Sequence, residues 1–163
     1  MIFATVGTHE DPFDRLVRAL DALEGDEEVL IQSGYSTVNP TRARCEAMMP
    51  FDRLQDAMAR ARVVITHGGP ASIMQVFAHG KVPIVVPRQA RFGEHVDDHQ
   101  VRFVARLAQR VVVVTDIQDL PSAIREHEAR VRALSGAGSG PDRARAFAQR
   151  LDTLCDDVLT SRR

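Results

Sequence analysis

Tryptophan is absent from the 163 residues, tyrosine occurs once, and lysine occurs only at Lys81, so every other cationic side chain is an arginine. So few large aromatics exclude a base-stacking platform of the kind that holds single-stranded nucleic acid. A formal net charge of −1 removes any bulk attraction to nucleic acid or anionic lipid, and no nucleic-acid partner is expected. The arginine bias carries no functional meaning by itself. The two cysteines, Cys45 and Cys155, lie too far apart for a metal spacing, and their scarcity fits a reducing, cytoplasmic setting rather than a disulfide framework. No apolar run approaches the ~20 residues that span a bilayer. The opening Met1-Ile2-Phe3-Ala4-Thr5-Val6-Gly7 lacks the basic start of a secretory signal. A cytoplasmic protein is expected, one that reaches the inner face of a membrane only through another molecule.

With 44% hydrophobic and 26% charged residues, the chain reads as globular, and 163 residues suffice for one domain with a real core. Short apolar runs alternate with amphipathic stretches. Ile2–Val6, Val29–Gln32, Val63–Thr66, Val82–Val86 and Val111–Val114 read as strands, with Cys45–Met49 as a short further one. Helical spacing runs over Pro12–Leu23, Phe51–Ala61, Ala71–His79, Val96–Gln109, Ile117–Ala133 and a tail at 142–159. Asp11 reads as the N-cap of the first helix, with Pro12 at its first position. Strands that are continuously apolar and separated by helices predict an α/β domain, a parallel sheet covered by helices on both faces. No repeat or linker divides it, and the Gly/Ser segment at 135–140 is too short to do so.

Ligands of open parallel sheets bind beyond the carboxyl ends of the strands. Four loops emerge there: Gly7–Asp11, Gly34–Pro40, His67–Pro70 and Pro87–His95. In Val63-Val-Ile-Thr-His67-Gly68-Gly69-Pro70-Ala71-Ser72, two glycines permit close backbone approach. Pro70 fits the first helical turn, so free amides and the helix dipole favour an anion such as phosphate, with the Ser72 hydroxyl as a further donor. A plain strand-to-helix turn explains the same glycines, and the spacing matches neither common phosphate-loop fingerprint.

A second element, Val85-Val86-Pro87-Arg88 followed by Glu94-His95-Val96-Asp97-Asp98-His99-Gln100, gives the turn a context. Together with His67-Gly68-Gly69 and Gly80-Lys81-Val82-Pro83, it resembles the C-terminal, sugar-nucleotide-binding half of glycosyltransferase family 28. Thr5-Val6-Gly7-Thr8-His9 and Pro12-Phe13-Asp14-Arg15-Leu16 look like a narrower group. These are the small catalytic subunits of two-part transferases, both of the dolichol pathway and of bacterial exopolysaccharide and capsule synthesis. The resemblance covers about residues 1–125. It implies a single Rossmann-like domain equivalent to the C-terminal half of a GT-B enzyme.

The resemblance also implies site roles. The donor diphosphate would sit on His67, Gly68, Gly69, Pro70 and Ser72, beside Gly7, Thr8, Pro87 and Arg88. Gln75 would face the ribose where the family commonly has Glu, giving up a charge-assisted bond. Asp98 and Gln100 would contact the donor sugar; the alternative is that Asp97 or Asp98 simply caps the helix. His9 and Glu94 are the candidates for a general base, and a solvated loop histidine is the alternative for His9. His9, Glu10 and Asp11 have metal-ligand chemistry, as do His95, Asp98 and His99, but neither set has a preorganised spacing. No metal is expected, and no cofactor beyond a UDP-sugar substrate.

The reaction so implied is inverting transfer of a sugar from a UDP-sugar to an acceptor in polysaccharide biosynthesis. A membrane-attached partner subunit would bind a lipid-linked acceptor, and the tail at 142–159 is a possible docking element. The alternative is a nucleotide-sugar-binding regulatory subunit without turnover. An epimerase or hydrolase on a related fold is disfavoured, since such an epimerase would need both domains in one chain.

Overall fold

A computed structural model of the chain describes residues 1–136; the tail expected at 142–159, most of the Gly/Ser segment and Cys155 lie outside the described residues. In chain order the elements are β1 (Ile2–Thr5), α1 (Asp14–Asp21), β2 (Val29–Gln32), β3 (Arg44–Glu46), α2 (Phe51–Arg60) and β4 (Val63–His67). They continue with α3 (Pro70–Ala78), β5 (Ile84–Val86), α4 (His99–Arg106), β6 (Val112–Val113), α5 (Leu120–Arg125) and α6 (His127–Gly136). The strands form one sheet in the order β3-β2-β1-β4-β5-β6, and every pairing is parallel.

Alternation along the strands divides the core between the two faces of the sheet. Ile2 and Ala4 of β1, Val63 and Ile65 of β4, and Ile84 and Val86 of β5 pack with Leu16, Val17 and Leu20 of α1 and Leu120, Ala123 and Ile124 of α5. Phe3 and Val64 point the other way, onto Ala57 and Met58 of α2 and Val76 of α3. Val85 does the same against Ile73, Phe77 and Val104. The expectation of helices on both faces of a parallel sheet therefore holds. No helix among the described residues is long and apolar enough to cross a membrane.

Three helix boundaries differ from the sequence expectation, each for a local reason. Helix α1 begins at Asp14 rather than Pro12, and no side chain caps it. The Phe13 amide donates instead to Ser36 Oγ at 3.1 Å and the Asp11 carbonyl accepts from Arg88 at 2.7 Å, so the segment before Asp14 is committed to tertiary bonds. Helix α4 begins at His99 rather than Val96, because Asp97 Oδ1 accepts the His99 amide at 3.0 Å and closes a turn first. The stretch 117–133 splits into a short 3-10 turn, α5 and α6.

The single lysine has a structural post. Lys81 Nζ donates to the carbonyls of Met58 at 2.8 Å, Ala59 at 2.5 Å and Ala61 at 2.5 Å, which cluster at the C-terminal end of α2. Those carbonyls have no acceptor role left within the helix, and a cation there also complements the negative end of its dipole. Lys81→Met keeps the aliphatic stem and removes the three charge-assisted bonds. A loss of about 2 kcal/mol is expected, on the scale of hydrogen bonds to charged groups, read as a lower midpoint in urea unfolding; an unchanged midpoint would mean that water caps α2 equally well.

Candidate functional site

The strand order places the topological switch between β1 and β4, where successive connections leave for opposite directions along the sheet. The loops following these two strands therefore part at their carboxyl ends and leave a crevice. Gly7 opens the first loop with φ +80. Gly68 and Gly69 form the second, and Pro70 occupies the first position of α3. Ile73 N–H is bonded to the Gly69 carbonyl at 3.2 Å, so the amides of Ala71 and Ser72 precede the intrahelical ladder and are free for an outside acceptor.

The glycines have a different immediate reason from the one expected. The His67 imidazole lies between them. A side chain on Gly69 would run into His67 Nε2, and one on Gly7 would come within 2.5 Å of His67 Cε1. Gly68 is closed off on another side, since a Cβ there would lie 2.8 Å from that of Gln100. The three glycines thus admit two side chains, His67 and Gln100, into the floor of the crevice. His67 Nδ1 and the neighbouring Thr66 Oγ1 are buried without a hydrogen-bond partner among the described residues.

Gln100 is buried, and its Oε1 accepts the amides of Gly68 at 3.0 Å and Arg88 at 3.1 Å. Two N–H donors on one atom fix which end of the amide is oxygen. The residue therefore ties the loop after β4 to the loop after β5, a role beyond the sugar contact expected of it. Asp98 occupies the N-cap position of α4 but does not cap it; its Oδ1 accepts from Ala90 N–H at 2.8 Å. Both the cap and a free carboxylate are thereby revised. Gln75 and Ser72 are half-buried on α3, as expected for residues near the helix start, and Thr8 is exposed beside Gly7.

Arg88 and Glu94, expected at the ligand, are instead inside the fold. Arg88 is fully buried. One terminal nitrogen donates to the carbonyls of Asp11 at 2.7 Å and Glu94 at 3.0 Å, and the other to Val6 at 3.0 Å. Its plane lies over the Phe13 ring at 4.8 Å. Glu94 binds Arg15 through both oxygens, at 2.7 and 2.9 Å, and also accepts the Gln89 amide at 2.9 Å. Glu94 is buried with both oxygens engaged and so presents neither to the crevice, whereas His9, the other candidate base, is exposed. The Pro87 carbonyl takes a bond from Arg15 at 3.2 Å.

Asp11, read in the sequence as a helix cap, faces His9: its carboxylate lies 3.4 Å and its amide 3.2 Å from His9 Nδ1. The two-residue spacing was the only available signal, and it does not distinguish this from a solvated pair. Around the rim, His95 stacks between His9 and His99, with centroid distances of 4.5 and 4.4 Å. The metal-type set is not the one weighed from sequence, since Asp98 turns away to Ala90 and Asp97 joins His95 and His99.

A family model, the glycosyltransferase family 28 C-terminal domain, matches residues 1–140. No curated protein matches. Among solved structures, the calicheamicin glycosyltransferase aligns at 17% identity and a TM-score of 0.56, covering 91% of this chain and 41% of its own. The glycosyltransferase SnogD from Streptomyces nogalater aligns at 18% and 0.58, covering 94% and 43%. The glycosyltransferase of kitacinnamycin aligns at 20% and 0.56, covering 91% and 42%. The fold is thus that of the C-terminal half of GT-B glycosyltransferases, and the chain spans about two-fifths of the length of these structures.

Burial, and after it the Arg88 charge, push the His67 pKa down from 6.5 to about 4. The unfolded chain takes up this proton below pH 6.5, whereas the folded protein refuses it until about pH 4. Stability should therefore fall as the pH drops through that window, by at most about 1.4 kcal/mol per pH unit from this residue. Urea unfolding of His67→Asn should show a shallower decline there than the parent, whose other histidines are common to both proteins. Equal slopes would mean that folded His67 accepts the proton.

Proposed function

Because the chain belongs to the glycosyltransferase family 28 C-terminal-domain family, we propose that the crevice between β1 and β4 binds a UDP-sugar and that the domain is the donor-binding, catalytic part of an inverting hexosyltransferase. The observation that carries this reading is the start of α3 at the topological switch. Free amides at Ala71 and Ser72, a hydroxyl at Ser72 and a positive helix end converge on one point. The leaving diphosphate gains negative charge as the sugar departs, so the same donors serve binding and rate.

The Gln75 side chain makes no hydrogen bond among the described residues and lies on the same helix, one turn on, where it can take the ribose hydroxyls. Gln100 keeps its amide nitrogen, and Asp98 its second oxygen, for the donor sugar. His9 is the base that deprotonates the acceptor hydroxyl: its exposed ring stands beside the Asp11 carboxylate, 3.4 Å from Nδ1, which balances the charge the ring gains. Arg88 and Glu94 act as positioning residues, and the reaction is read as independent of any cofactor.

A GT-B transferase closes two such domains over its substrates. The acceptor half is read as a separate, membrane-attached polypeptide holding a lipid-linked acceptor in polysaccharide synthesis. The likeness of Thr5–His9 and Pro12–Leu16 to the small subunits of two-part transferases supports this, and the domain would then work at the inner face of the membrane through its partner. A binding subunit without turnover is the second reading, favoured by the uncharged Gln75.

Titration calorimetry with UDP tests the site. Saturable binding is expected, weakened roughly tenfold or more by Gly69→Ala, which forces His67 out of its slot. Absence of UDP binding would remove the assignment. Gln75→Glu should tighten binding about fivefold, by making the ribose bonds charge-assisted. With the acceptor subunit co-expressed, His9→Ala should lower kcat by roughly a hundredfold or more; wild-type turnover in that variant would exclude His9 as the base, and no turnover in the parent with any UDP-sugar would favour the binding subunit.

A further inference from the structure

Five residues at the rim of the crevice, His95 to His99, carry two imidazoles and two carboxylates on one turn, and of the carboxylates Asp97 faces the rings while Asp98 is bonded to the Ala90 amide. Asp97 Oδ1 lies 2.6 Å from His99 Nδ1 and 4.0 Å from His95 Nδ1. One ligand atom from each of the three residues falls within 4.8 Å of the others. The rings of His95 and His99 meet edge to face at 4.4 Å. The second carboxylate oxygen, Oδ2, is held by Arg102 at 3.2 Å, so that Oδ1 is turned toward the imidazoles. An outer bond of this kind is what orients a metal-ligating carboxylate.

Asp97 and His99 are peripheral to the packing of the fold. The side chains of Asp97 and His99 are 49% and 48% exposed, whereas the bracing of the neighbouring loops falls to Asp98, Gln100 and Glu94. Within the turn, Asp97 Oδ1 accepts the His99 amide, a bond that any Asx residue would supply, and His95 Nδ1, on a side chain 12% exposed, accepts the Val96 amide at 2.9 Å, a bond that metal binding would replace. Two imidazoles in addition call for another reason.

We propose that His95, Asp97 and His99 bind one divalent transition-metal ion of the zinc type, with an open coordination position toward solvent at the crevice rim. Tetrahedral sites with bonds of about 2.0–2.1 Å set ligand atoms about 3.3 Å apart. The observed 2.6 and 4.0 Å straddle that separation, so a side-chain adjustment suffices. The ion takes the place of the direct hydrogen bond between Asp97 Oδ1 and His99 Nδ1. Two nitrogen ligands select against magnesium and calcium, which take oxygen donors, and three protein ligands leave a fourth position open. His9, whose ring lies 4.5 Å from that of His95, becomes the neighbour of the bound ion. The site is independent of whether the crevice takes a UDP-sugar.

Calorimetry on the chelator-stripped full chain with Zn2+ alone, and imidazole NMR of the same sample, test the site. Saturable binding is expected, weakened roughly tenfold or more in His99→Gln and lost as a distinct event in His95→Gln/His99→Gln. Glutamine keeps the turn's backbone bond and much of the side-chain bulk, and circular dichroism verifies the fold. In the parent, Zn2+ should shift the His95 and His99 ring signals and spare His79 and His127, which are bonded elsewhere to Gln55 and the Val82 carbonyl. Absence of Zn2+ binding, equal affinity in the double variant, or shifts confined to His79 and His127 would each overturn the proposal. Excess Mg2+ should leave the Zn2+ isotherm unchanged, and displacement by Mg2+ would overturn the zinc-type assignment.

Discussion

The crevice depends on one buried cation. Arg88 leaves the end of β5 and passes beneath the loop that follows β1, where its guanidinium meets the carbonyls of Val6, Asp11 and Glu94. Burying a guanidinium costs several kcal/mol. Bonds to charged groups contribute about 1.5–3 kcal/mol each, so three of them, with the Phe13 ring beneath, offset that cost. The result is that two loops from strands with another strand between them are held in one geometry. Glu94 completes the frame, balancing Arg88 and clamping Arg15 of α1. A ligand at the rim then meets a prearranged wall, with little ordering left to do on binding.

The electrostatics of the floor follow from that frame. Arg88 sits close enough to His67 to help keep the imidazole neutral, and the amides at the start of α3 add partial positive charge. The floor is thus positive without a solvated cation in it, a charge that suits an anion. His67 itself is wedged between Gly7 and Gly69. The glycines, the histidine and the buried arginine are parts of one packing solution, so a change at any of them is felt at the others.

Much of the fold was legible because it rests on local periodicity. Apolar runs such as Val63–Thr66 and Val82–Val86 signal buried parallel strands, and the Gly-Gly-Pro break at 68–70 signals the turn into α3. Helix beginnings were less legible where another bond took the groups at the expected start, a tertiary one at Asp11 and Phe13 and a tight local turn at Asp97. At the site, sequence located the loops but not the direction of the side chains. Arg88 and Glu94 share a loop with Asp98 and carry charge like any ligand contact, and nothing in their spacing says that they turn inward. Asp97 rather than Asp98 joins the two histidines for the same reason, since adjacent residues of one turn point apart.

What the sequence determined by itself was the architecture and the family: the order of strands and helices, the helix start at Pro70 suited to an anion, and the motifs from His67 to Gln100. These are encoded in near neighbours along the chain, through spacing, turn chemistry and propensity. Only the tertiary structure decided which residues face the crevice and which support it. His67 in its slot between Gly7 and Gly69, Gln100 joining two loops, Arg88 beneath a loop 77 residues away at Asp11, and His9 beside His95 all depend on contacts between strand ends. Such contacts are set by packing of the sheet in three dimensions, and the sequence of any one loop does not contain them.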